Sequence, residues 1–162
     1  MQIAVLSDSH DNVFKLEAAL AEMKTVDSVI HCGDLCSPFV IERIGSATLG
    51  KSVHIVWGNN EGDIRLICQN ALRYPNILLH GALARLEIDG LKVGVNHYPE
   101  IARDLAASGS YDLVCFGHDH TAFEGKVGDC TLLNPGEILG MNGSSTFAIF
   151  DTKEQGIRWI EV

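Results

Sequence analysis

Positive charge is scarce in this sequence, with 12 lysines and arginines against 21 aspartates and glutamates, a net charge of -9 over 162 residues. Nucleic-acid polymers are bound largely through clustered Lys and Arg, so such a polymer is excluded as the main partner. A CxxC pair is also lacking. The five cysteines, Cys32, Cys36, Cys68, Cys115 and Cys130, are odd in number, and at least two lie in apolar, strand-like runs. They read as reduced core residues rather than a disulfide framework, which points to a reducing compartment. No segment approaches the roughly 18 apolar residues of a membrane span, and Asp8, His10 and Asp11 interrupt the first apolar run at once. The expectation is a soluble, cytoplasmic protein without a membrane partner. Repeats, low-complexity tracts and linkers are missing too, and 46% of the residues are hydrophobic. One domain, residues 1–162, is expected. The front half has no GxGxxG loop, which disfavours a nucleotide-binding or flavodoxin-like module.

What is present begins with an alternation of apolar strands and amphipathic helices, the pattern of parallel βαβ units. "QIAVLS" (2–7), "SVIHCG" (28–33) and "SVHIVWG" (52–58) read as strands. Helices are predicted over 13–24, with Leu16, Ala19, Leu20 and Met23 on one face, over 38–47, with Ser37 as N-cap and Pro38 as first helical residue, and over 63–73. Beyond Ile77 the texture changes. Residues 83–97 read as a hairpin turned at Asp89-Gly90, a helix follows at about 99–108, and "LVCF" (113–116) reads as a buried strand. "STFAIFD" and "IRWIEV" read as further strands, so a parallel front half and an antiparallel back half are expected to form two packed sheets.

The polar residues fall at the ends of these strands. Asp8 and His10 follow the first, Asp34 the second and Asn59 the third; His97 ends the hairpin, and His118 and His120 follow "LVCF". Loops at one edge of a sheet can converge on one pocket, so these seven are candidate metal ligands. Taken alone, a D-x-H after a strand is more often a turn or helix cap than a ligand pair. Other residues receive blander readings. His54 and His80 suit core or surface positions, His31 a place behind the ligands, and Trp57 the core. Asp11 and Asn12 suit capping the first helix or lining the pocket, and Asp119 either orienting a histidine or a solvated loop.

The ordered set "DSH" (8–10), "GDL" (33–35), "GNNE" (58–61), "NHY" (96–98) and "GHDH" (117–120), running on to "NPGE" (134–137), resembles the calcineurin-like metallophosphoesterases, specifically their small bacterial and archaeal phosphodiesterase branch. The resemblance implies an α/β (α+β) four-layer α-β-β-α sandwich of two packed mixed sheets flanked by helices. It assigns one metal to Asp8, His10 and His120, a second to Asn59, His97 and His118, and makes Asp34 the bridge. The chemistry agrees, because a carboxylate has two oxygens to share between ions about 3.5 to 4 Å apart, whereas imidazole and the Asn carbonyl each offer one good donor. The implied activity is hydrolysis of small phosphodiesters by a hydroxide activated by two metals, with Asn59 and His97 acting through the metal centre. Two divalent transition metal ions are implied, Mn²⁺ first, with Ni²⁺, Co²⁺, Fe²⁺ or Zn²⁺ as alternatives. The implied partner is a small phosphate ester, and the sequence leaves homo-oligomerisation open.

Three departures from the family pattern stand out. Asn60 occupies the place where phosphatase relatives carry a histidine and cannot donate a proton as a general acid, which leaves His31 or water. Asp119 and Glu137 stand where small hydroxylated residues are usual, and with Glu61 they are expected to place negative charge near an anion site. The competing reading is a weak or inactive scaffold of the same fold that binds partner proteins, since this fold also resembles that of a trafficking scaffold subunit.

Overall fold

The computed structural model describes all residues, 1–162. In chain order the elements are β1 (Gln2–Leu6), α1 (Val13–Glu22), β2 (Ser28–His31), α2 (Phe39–Ala47), β3 (Ser52–Ile55), α3 (Ile64–Ala71), β4 (Ile77–Leu79), β5 (Leu83–Ile88), β6 (Leu91–Asn96), α4 (Pro99–Ala107), β7 (Leu113–Cys115), β8 (Ala122–Val127), β9 (Cys130–Pro135), β10 (Thr146–Asp151) and β11 (Ile157–Glu161). One sheet runs β11-β10-β1-β2-β3-β4 and the other β5-β6-β7-β9-β8.

Side-chain alternation along the strands sorts the core into layers. Ala4 and Leu6 of β1 pack with Leu16, Ala19 and Leu20 of α1 and with Val40, Ile44 and Ile67 of the next two helices. Ile3 and Val5 point the other way, into a cluster shared with Val93, Val95, Leu113, Cys115 and Leu133 of the second sheet. Val114 and Phe116 then face Ala102 and Ala106 of α4. The result is the expected four-layer sandwich of α1–α3, sheet, sheet and α4. Residues such as Leu113, fully buried between the sheets, each contribute about 2 to 5 kcal/mol against truncation to Ala.

The back half differs from expectation. β6, β7 and β9 pair in parallel, because α4 carries the chain across between β6 and β7 as a further βαβ unit. The hairpin signal at Asp89-Gly90 is real, with both residues at positive φ as a type I′ turn requires, but it describes only the β5–β6 edge. The C-terminal strands return to the first sheet, β10 pairing antiparallel to β1. Asn12 caps α1 by accepting from Lys15 N–H at 3.2 Å. Ser37 does not cap α2, which starts at Phe39 after Pro38; its N–H and hydroxyl instead donate to Asp11 at 2.7 and 2.6 Å. All five cysteines are free, but Cys68 is exposed on α3 rather than in the core. No helix is long and apolar enough to cross a membrane.

His54 lies on the face of β3 opposite Val53 and Ile55, with Nδ1 3.0 Å from Nε2 of His80. Burial, with the neighbouring His80 ring as the lesser cause, pushes His54 down to about 4, and burial lowers His80 as well. The unfolded chain therefore takes up these protons first, so stability present above about pH 6.5 is lost as the pH falls toward 4. Urea unfolding at stepped pH should show this decline, and His54→Gln should flatten it. Identical slopes in the two proteins would exclude His54 as a source.

Candidate metal centre

The strands of both sheets deliver all seven candidate ligands to one cluster. His10 Nε2 lies 3.3 Å from Asp34 Oδ2 and 3.7 Å from Asp8 Oδ1, and His120 Nε2 lies 3.4 Å from the same Asp8 oxygen. On the other side, His97 Nε2 stands 3.5 Å from Asp34 Oδ1 and 3.0 Å from Asn59 Oδ1. His118 Nδ1 completes that side, 2.9 Å from Asn59 Oδ1 and 3.3 Å from His97 Nε2. Asp34 thus turns one oxygen toward each side. Two triads have donor atoms mutually within 4.8 Å: Asp8, His10 and His120, and Asp8, Asp34 and His97. The second draws Asp8 toward both halves, a sharing that the sequence reading reserved for Asp34.

Local backbone geometry aims these side chains. Asp8, His10, Asp34, His118 and His120 have φ of 52, 40, 59, 77 and 56°, a left-handed region that costs non-glycine residues about 1 to 2 kcal/mol each. In an extended "GHDH" the two rings would point the same way. The left-handed turns instead send His118 to Asn59 and His120 to Asp8.

Close packing holds the loops in these conformations. A Cβ on Gly58 would lie 2.0 Å from Asp34 Oδ1, and one on Gly117 would lie 2.6 Å from Asp8 Oδ2. Glu61 gathers the backbone with both oxygens, accepting from Asp34, Leu35, Cys36 and Gly58 N–H at 2.9 to 3.3 Å. Asn60 donates its backbone N–H and its side-chain amide to the two Asp34 oxygens, at 2.8 and 2.9 Å. Each oxygen keeps a free lone pair.

Electrostatics follow from burial. Asp8 is 0% and Asp34 1% exposed. Burial alone would raise the Asp8 carboxyl, but His10, Ser7, His97 and the His118 N–H together hold it below the usual range. Asp8 in turn raises His10 above its ordinary value, against the effect of burial. Nδ1 of His97 donates to the Cys32 carbonyl at 2.8 Å, leaving Nε2 free to accept. Asp8 Oδ1 and His10 Nε2 are buried without any hydrogen-bond partner. Orphaned polar atoms are rare in folded proteins and call for an explanation, and a divalent cation among mixed N and O donors would satisfy both.

Several neighbours behave differently from expectation. Glu61 and Glu137 do not present negative charge to the open site: Glu61 is bound to backbone donors, and Glu137, 1% exposed, contacts His120 Nδ1 at 2.6 Å. Asp119 shapes its loop, accepting from Asn134 Nδ2 at 2.6 Å. His31 does sit behind the ligands. Gly33 N–H donates to its Nδ1 and its Nε2 donates to Ser9 Oγ, while burial pushes it down to about 4. It is therefore not the missing acid. Trp57 packs against the core but stays half-buried.

A four-layer sandwich with Asp, Asn and His donors gathered at its strand mouths defines the metallophosphoesterase class. Residues 1–155 match the calcineurin-like phosphoesterase superfamily domain, and the chain belongs to that superfamily. It is 32% identical to a protein of Methanocaldococcus jannaschii named as a phosphodiesterase, over 99% of this chain and 98% of that one. A solved structure described as a novel archaeal phosphodiesterase matches with a TM-score of 0.92 at 30% identity, covering 100% of both chains. Vps29 of Chaetomium thermophilum shares the fold, with a TM-score of 0.69 at 15% identity over 100% of this chain and 97% of that one.

The closeness of Gly58 to Asp34 gives a test of the packing. Gly58→Ala should destabilise the protein by about 1 to 3 kcal/mol, as overpacking does, whereas Gly156→Ala, which meets open space, should stay within about 0.5 kcal/mol. Urea denaturation of both variants measures the difference, and equal stabilities would mean that the loop yields freely.

Proposed function

We propose that the chain hydrolyses small phosphodiesters with two divalent transition metal ions, Mn²⁺ first among them, held by Asp8, His10 and His120 on one side and Asn59, His97 and His118 on the other, with Asp34 between. The observation that carries this reading is the pair of buried, unpartnered atoms, Asp8 Oδ1 and His10 Nε2, facing each other inside a cluster of further donors. When bound, the ions supply Lewis acidity, lowering the pKa of water and neutralising charge on the phosphoryl oxygens. Asn60 fastens the bridging carboxylate rather than donating a proton. Five unpaired cysteines support a reducing, cytoplasmic setting, and the core clusters shared across both sheets support a single domain.

The preference for diesters rests on the Methanocaldococcus jannaschii relative and on the solved archaeal structure, each described as a phosphodiesterase. Repulsion of monoester dianions contributes less than the sequence suggested, since Glu61 and Glu137 are already engaged. The scaffold reading is not favoured: Vps29 shares the fold, but fold alone carries no function, and here all seven donor residues are present and lie together.

Two experiments test this. Asp34→Asn removes an anionic bridge from a site that needs charge compensation, so bound metal and turnover should fall together; wild-type metal content in the purified variant would defeat the bridging assignment. A positioned acid contributes about 10² to 10⁴-fold by protonating a leaving group, and neither Asn60 nor His31 supplies that proton. Aryl diesters should therefore be cleaved far faster than alkyl diesters, and Asn60→His should narrow the gap. Equal aryl and alkyl rates in the wild type would show that another acid is at work.

A further inference from the structure

Glu137 is a buried carboxylate that the hydrolysis described above does not use. Its Oε1 accepts from the Asn142 N–H at 2.6 Å, and its Oε2 meets His120 Nδ1 at 2.6 Å. A carboxylate only accepts, so the His120 proton sits on Nδ1 and the Nε2 lone pair faces Asp8 Oδ1 at 3.4 Å. The equivalent support on the other side of the cluster is weaker. There Nδ1 of His97 donates to a neutral partner, the Cys32 carbonyl, at 2.8 Å. One half of the cluster is therefore backed by a full negative charge and the other by a peptide dipole.

We propose, on the reading that this cluster holds two ions, that Glu137 is a positioning residue for His120: it fixes the tautomer and ring orientation, and makes the ion shared by Asp8, His10 and His120 the more tightly held of the two. A carboxylate behind a ligating imidazole pulls on the Nδ1 proton and strengthens Nε2 as a donor, and loss of such a partner typically weakens metal binding about 10 to 100-fold. Its charge also adds a third anion to those of Asp8 and Asp34, on one side only. The substitution of Glu for a small hydroxylated residue at this place thus becomes a device for metal retention rather than a source of substrate repulsion.

The test is calorimetric titration of metal-free wild type and Glu137→Gln with Mn²⁺, together with ¹⁵N NMR of the His120 ring in the metal-free wild type. Glu137→Gln keeps the shape and an accepting oxygen but drops the charge. Two unequal binding steps are expected in the wild type, the tighter one weakened about 10 to 100-fold by the substitution and the weaker one unmoved. The ring should be protonated at Nδ1, a readout that stands even if the variant fails to fold. Unchanged affinities in a folded Glu137→Gln, or a His120 ring protonated at Nε2, would overturn the proposal while leaving the two-ion reading intact. A wild type that takes up no Mn²⁺ would overturn that reading, and the proposal with it.

Discussion

Two carboxylates, Asp8 and Asp34, are buried almost completely in the same place, and the rest of the site follows from the need to compensate them. Their ion-pair partners within 4 Å are histidines alone, His10, His97 and His120. A buried charge must be paired or must coordinate a metal, because leaving it uncompensated costs several kcal/mol. Histidine compensates only when protonated, and a protonated ring cannot ligate. The cluster is thus poised between binding protons and binding cations. Its fixed dipoles and hydrogen bonds favour the second, since the Cys32 carbonyl leaves the inward nitrogen of His97 free to donate its lone pair.

Holding that arrangement requires strain, and the sandwich provides the rigidity. Five candidate ligands adopt left-handed φ values, so the loops together carry an unfavourable backbone term of about 5 to 10 kcal/mol. Short loops tied to β7 and to the last four residues of β1, all buried at 0 to 1% exposure, have little freedom to relax it. Glu61 adds a local clamp by binding four consecutive or facing backbone donors. The same anion could not repel substrate and clamp the loop with equal effect, because its lone pairs are directed inward.

The order of the motifs made the fold family and the seven clustered residues legible in the sequence, because strand ends in α/β sheets converge by geometry. What remained hidden was whatever depended on contacts distant in sequence. Glu137 lies 17 residues from His120, and read as sequence it is merely an additional charge; only folding reveals that the charge is buried and paired. The parallel pairing of β7 with β9 was equally obscured, since β8 lies between them in the chain and forms an antiparallel hairpin with β9. His31 was legible in its place behind the ligands but not in its chemistry. As a residue near Asp34 it qualified as an acid, and complete burial removes it from that role.

Cavity size is a poor guide to where the chemistry lies, and buried donors without hydrogen-bond partners are a better one. A groove of about 690 Å³ opens between α1 and α2, lined by residues including Leu20, Phe39 and Tyr74, and crossed by a Glu17–Arg43 ion pair at 3.2 Å. Glu42, also in its lining, is paired with Arg73 at 2.7 Å, and the groove gathers no histidine or cysteine that could hold a metal. The strand mouths contain Asp8 Oδ1 and His10 Nε2, buried, facing each other and without hydrogen-bond partners. Ser7 Oγ, Asn76 Oδ1 and Ser145 Oγ are buried without hydrogen-bond partners too, but only Asp8 Oδ1 and His10 Nε2 lie among further carboxylate and imidazole donors that a cation could join.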